Sequence, residues 1–170
     1  MTRKADFNAE EWSLVLDGPP TAGLLVITAQ RGGTLRESVS MAKAYAEARQ
    51  QTGQSELLDE IVSARPEMDP GRFRSPEELR EGGPRRLREA VDLLEQKATP
   101  EEVESYREFV LTLAERVAAA HREGGFLGIG GEEVSDAEEK ALDEIAAALG
   151  ASRRAGATAE PGAGSEPQAS

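Results

Sequence analysis

Apolar positions fall into a series of helix-length groups, each opened by a capping residue and closed by glycine or proline. Asn8 followed by Glu11 makes a capping box, and Phe7 ahead of it can staple onto Trp12 in the first turn. This first helix is expected to be short, ending at Gly18, where Pro19 and Pro20 break it and open a second. The second helix carries Leu24, Leu25, Val26 and Ile27 on all sides, the pattern of a packed central element. Thr34 with Glu37 starts a third, to Gln51, with Leu35, Val39, Ala42, Tyr45 and Ala46 on one face. Ser55 caps a shorter one bearing Leu57, Leu58, Ile61 and Val62, closed at Arg65-Pro66. From Pro66 to Arg74 there is no period, and a surface loop is expected.

Ser75-Pro76-Glu77-Glu78 and Thr99-Pro100-Glu101-Glu102 each place a hydroxyl at the cap, proline in the first turn and glutamate behind it. Gly82-Gly83-Pro84 is expected to separate a short helix from one with Leu87, Ala90, Val91 and Leu94. After Thr99 comes the longest helix, with Val103, Tyr106, Phe109, Val110, Leu113 and Val117 at helical spacing until Gly124. It should be the spine of the bundle. A last helix, capped by Ser135 with Glu138, turns Leu142, Ile145, Ala146 and Leu149 inward and stops at Gly150. The pattern predicts an all-α compact bundle of about six to eight helices with short Gly/Pro turns.

Composition agrees. Only 4% of the 170 residues are aromatic, so the core must be Ala, Leu and Val, which suits close-packed helices. Three regions are expected: a flexible start over 1–6, a single helical domain over 7–150 and a tail over 151–170. The tail, almost entirely Ala, Gly, Ser, Pro, Glu and Thr with little to bury, is expected to be disordered.

The net charge of −12 repels phosphate backbones, so nucleic acid is not an expected partner. The absence of cysteine excludes disulfides, thiolate metal sites and a cysteine nucleophile. The most apolar stretch, Ala22 to Ala29, is far short of the roughly 20 residues a membrane span needs. The start of the chain lacks the apolar run of a signal peptide, and a cytoplasmic setting is the expectation.

One segment is unlike the rest. Between Gly124 and Gly131 the chain reads Gly-Gly-Phe-Leu-Gly-Ile-Gly-Gly, combining glycine freedom with large apolar groups. Phe126 and Ile129 are expected to plug the bundle; the other reading makes Phe126, Leu127 and Ile129 a patch that docks a protein partner. Gly128-Ile129-Gly130-Gly131 has the look of a phosphate cradle, but Glu132, Glu133 and Asp136 would face the anion and no strand precedes it. His121, the single histidine, falls in the last turn of the long helix, where a cation suits the dipole. Glu132, Glu133, Asp136, Glu138, Glu139, Asp143 and Glu144 offer oxygen ligands but lack calcium-loop spacing, and a solvated acidic face is expected. No catalytic, cofactor-binding or metal-binding residue is assigned.

The Gly124–Gly131 run, Val134-Ser135 with Glu138, and the Phe7, Trp12, Pro19-Pro20 opening resemble a family of small uncharacterised bacterial helical proteins. A glycine turn leading through a small cap to a glutamate, at Gly32-Gly33-Thr34 with Glu37 and at Gly130-Gly131 with Ser135 and Glu138, is similar to the tellurite-resistance TerB-like helical domains. That resemblance implies paired helical units and a stress-related role. Those domains carry aspartate-rich turns associated with metal, whereas here Gln30 and Arg31 stand in the first turn. The functional expectation is a non-enzymatic, monomeric interaction module. The alternative is a small-ligand or divalent-cation binder, or an enzyme, using the acids beside the glycine segment.

Overall fold

A computed structural model describes residues 1–29, 42–43, 45–47, 55–64, 73–123 and 136–151. Among these the fold is all-α, without strands. A 3-10 turn at Lys4–Asp6 precedes α1 (Ala9–Ala29), α2 (Glu56–Ser63), α3 (Pro76–Lys97), α4 (Pro100–Glu123) and α5 (Asp136–Leu149). Residues 42–43 and 45–47 are helical as well.

Two expected breaks are absent. Helix α1 runs through Gly18, Pro19 and Pro20, and α3 runs through Gly82, Gly83 and Pro84. An interior proline removes an amide donor and costs about 3 kcal/mol in an isolated helix, so tertiary contacts must compensate. They are visible at both sites. Pro19 has no N–H for the Val15 carbonyl, four residues back in the helix, and the Tyr106 hydroxyl of α4 donates to that carbonyl instead at 2.9 Å. Gly18 makes the approach possible, since a Cβ there would fall on the Tyr106 hydroxyl and lie 3.1 Å from its Cζ. In α3, Gly83 lets Leu25 of α1 approach so closely that an added Cβ would sit 3.1 Å from both of its methyl carbons. Gly18 and Gly83, which read as breakers, are points of close helix approach.

The expected caps form where they can be seen. Asn8 and Glu11 exchange amide-to-side-chain bonds of 2.8 and 2.9 Å, and Thr99 and Glu102 do so at 3.0 and 3.3 Å. Ser55 and Ser75 accept from the amides of Leu58 and Glu78. Gly150, at φ +66°, ends α5 with Gly150 N–H to Ala147 and Ala151 N–H to Ala146, the paired bonds of a Schellman stop. The Thr34–Glu37 and Ser135 starts, and the tail beyond Ala151, lie outside the described residues.

Helices α1 and α3 are antiparallel: Lys97 at the end of α3 pairs with Glu11 at 2.6 Å, and Arg80 near its start donates to the Thr28 carbonyl at 3.0 Å. Helix α4 begins beside them at the Lys97 end, and α5 returns to that end, where Gly150 lies against Arg107. The core between these four holds Val15, Leu25, Val26, Leu87, Leu94, Val110, Leu113, Val117, Ile145 and Leu149. Helix α2 lays Leu57, Ile61 and Val62 inward. Tyr45 is buried edge-on to Phe109 with ring centres 5.5 Å apart, whereas Ala42 and Ala46, expected on the same face, are exposed.

Candidate functional site

Three sets of charged and polar side chains tie the described elements together in or beside the core. The first joins Asp17 of α1 to Arg86 of α3 at 2.9 Å, with Asp17 buried. Such a pair offsets desolvation only while both partners are present, and it fixes the register of α1 on α3. The second is the Tyr106 hydroxyl. Complete burial pushes its pKa well up, with a smaller contribution from Tyr45, so it stays a neutral donor to Val15.

The third lies where the chain's first residues cross the starts of α1 and α4. Thr2 is buried, its amide 2.8 Å from Glu102 Oε1 and its hydroxyl 2.7 Å from Oε2. Burial acts most strongly on Glu102 and raises its pKa. The amides of Thr99 and Thr2, the Thr2 hydroxyl and the Met1 amino charge together outweigh it and hold the carboxyl below its ordinary value. Beside it, Phe7 and Trp12 pack with ring centres 5.7 Å apart, and the Lys97 ammonium sits 5.4 Å above the Phe7 ring. The Lys97 bond, then the Asn8 amide, lowers the Glu11 pKa. The expected Phe7–Trp12 staple is therefore present, extended by a lysine that sequence spacing does not place.

These groups brace helices against one another.

The residues singled out in the sequence are distributed differently. Phe126, Leu127, Ile129, Gly128, Gly130, Gly131, Glu132 and Glu133 lie outside the described residues. His121 is in the last turn of α4, with its side chain also outside them. Of the acids on α5, Asp136, Glu139, Asp143 and Glu144 are exposed while Glu138 turns inward. Glu144 lies 3.9 Å from Lys140. Among the described residues no three His, Asp or Glu side chains gather as a metal ion would require, and no helix is long and apolar enough to cross a membrane.

Sequence reasoning missed Asp17–Arg86, Thr2–Glu102 and Tyr106–Val15. Only the last had a readable signal: Pro19 orphans the Val15 carbonyl, and a buried tyrosine hydroxyl needs a partner. No protein-family model, curated protein or solved structure matches the chain.

Proposed function

We propose that the chain is a non-enzymatic helical interaction module that docks a protein partner through Phe126, Leu127 and Ile129. The observation that carries this reading is the surface of the bundle. Among the described residues Met1 is the one large hydrophobic left exposed, so the helices offer a polar exterior with no extended apolar face of their own. A partner that recognises apolar surface then has to find it in a connecting segment. The segment 124–135 leaves α4 at the end remote from the Arg107–Gly150 contact, and it alone among the glycine-rich stretches carries large apolar residues. The buried polar groups add support, because each of the three sets described is occupied in holding helices together. The TerB-like resemblance makes a stress-related role part of the proposal.

The test is Phe126→Ala in the full chain, read by urea unfolding and by crosslinking to partners in the native host. An unfolding midpoint equal to the parent's, with loss of a crosslinked partner, supports docking. A midpoint lowered enough to correspond to the loss of several kcal/mol that truncating a buried phenylalanine costs makes Phe126 a core plug and overturns it.

A further inference from the structure

The first residues of the chain are held in an unusual way. Three successive backbone amides each end on a carboxylate: Thr2 N–H on Glu102 of α4 at 2.8 Å, Arg3 N–H on Asp6 at 2.8 Å, and Lys4 N–H on Glu60 of α2. Side chains repeat the theme. The Thr2 hydroxyl bonds Glu102 at 2.7 Å, and the Arg3 guanidinium meets Glu56 of α2 at 3.0 Å. Lys97 of α3 ties the same stretch down from the other side, reaching the Asp6 carbonyl at 3.1 Å and Glu11 of α1 at 2.6 Å. The segment thus crosses four helices, and its far end, Phe7, covers Trp12.

An ordinary strap would be held by apolar side chains and main-chain pairing, neither of which titrates. Here Phe7 and Thr2 are the buried residues of the first seven; apart from Phe7 packing, the Thr2 hydroxyl on the Lys97 carbonyl and the Lys97 contacts with the Asp6 carbonyl and the Phe7 ring, the segment is held by charge-assisted bonds to carboxylates. Protonation converts each acceptor into a neutral acid of roughly half the bonding strength. The helices behind it are organised otherwise. Carboxylates cross the α1–α3–α4 contact as well, at Asp17–Arg86, Glu11–Lys97 and Glu95–Arg107, but that contact rests in addition on Tyr106–Val15, on Gly83–Leu25 and on extensive apolar packing, none of which titrates in the acid range.

We infer that residues 1–7 form an acid-released strap, which lifts off Trp12 when Glu102, the carboxylate that receives the Thr2 amide and hydroxyl, is protonated while the helical bundle stays folded. The charged groups facing the strap's carboxylates are the Met1 amino group, Arg3, and Lys97 on α3, with Glu56 on α2 and Glu11 on α1 alongside. The direction follows from the Glu102 pKa, which is lowered in the folded chain. Its contribution is complete above the unfolded glutamate value, near 4.3, and disappears as pH falls through the lowered folded value. Release is therefore expected below the ordinary carboxylate range.

Trp12 is the single tryptophan, which makes its emission a direct reporter of the strap. The full chain is titrated from neutral to acid pH, following tryptophan emission and far-ultraviolet circular dichroism together. The expected result is a reversible red shift that precedes any loss of helical signal. Coincident loss of both overturns the inference. Thr2→Val removes one donor from Glu102 and should move the emission step to higher pH, and an unmoved step overturns it. Glu102→Gln should show the red-shifted emission already at neutral pH with helicity intact, and parental emission overturns it. Should Glu102→Gln fail to fold, Thr2→Val decides with its own two outcomes. Phe7→Ala should abolish the step by removing the reporter's cover, and its persistence overturns the assignment to the strap.

Discussion

The Tyr106 hydroxyl donates to the Val15 carbonyl, the acceptor that the amide of residue 19 would use in an uninterrupted helix, at 2.9 Å across the α1–α4 interface. One side chain thereby makes two things compatible: a pair of prolines inside a helix and a carbonyl buried beneath it. Tyr106→Phe keeps the ring and its packing but leaves that carbonyl unpaired. The expected cost is about 1–3 kcal/mol, read as a lower urea midpoint at unchanged m-value. A midpoint equal to the parent's would mean that the carbonyl finds water.

The same contact predicts a coupling. Gly18→Ala places a methyl on the Tyr106 hydroxyl, and that group is held by Val15 and cannot swing away. Gly18→Ala alone should destabilise by more than the roughly 1 kcal/mol that alanine returns over glycine in a helix. In the Tyr106→Phe background the obstructing oxygen is gone, so the penalty should shrink. A double-mutant cycle measures the difference, and a coupling on the order of 1 kcal/mol is expected. Strict additivity would place the Cβ somewhere other than the glycine geometry implies.

Much of the fold was legible because helix ends are local. Asn8–Glu11, Ser55, Ser75 and Thr99–Glu102 cap as their spacing predicts, and Gly150 stops α5, since each motif is satisfied within five residues. Helix interiors were less legible. Gly18-Pro19-Pro20 and Gly82-Gly83-Pro84 carry the same local signal as a break, and only a tyrosine 88 positions beyond Gly18 and a leucine 58 positions before Gly83 turn them into contacts. Nothing near Thr2 announces that Glu102 will receive it, because the charge pattern fixes a capping role for Glu102 and leaves its second oxygen open. The candidate docking residues Phe126, Leu127 and Ile129 were chosen for composition alone.

The aromatic pair at the start of α1 sets a third expectation. Trp12 is 7% exposed and Phe7 8%, with Lys97 over the Phe7 ring, so the indole lies in a dry, packed setting. Native emission should be blue-shifted, and Trp12→Ala should cost roughly 3–5 kcal/mol, the range for truncating a buried large aromatic. Water-like emission from the parent at neutral pH would contradict the packing.

The stop of α5 gives the last test, one that separates backbone strain from crowding. Gly150 holds φ at +66°, and a Cβ there would lie 3.7 Å from Arg107 Nη2, ordinary contact distance, so space for a methyl is present. Whatever Gly150→Ala costs must then come from the left-handed conformation, about 1 kcal/mol for a residue with a Cβ. Asparagine visits that region more readily, so Gly150→Asn should recover part of the loss while being the larger side chain. The order of thermal midpoints expected is parent, then Gly150→Asn, then Gly150→Ala. If asparagine proved the worse of the two, size at the Arg107 contact and not backbone geometry would be limiting, and the Schellman stop would not be what holds Ala151 against the core.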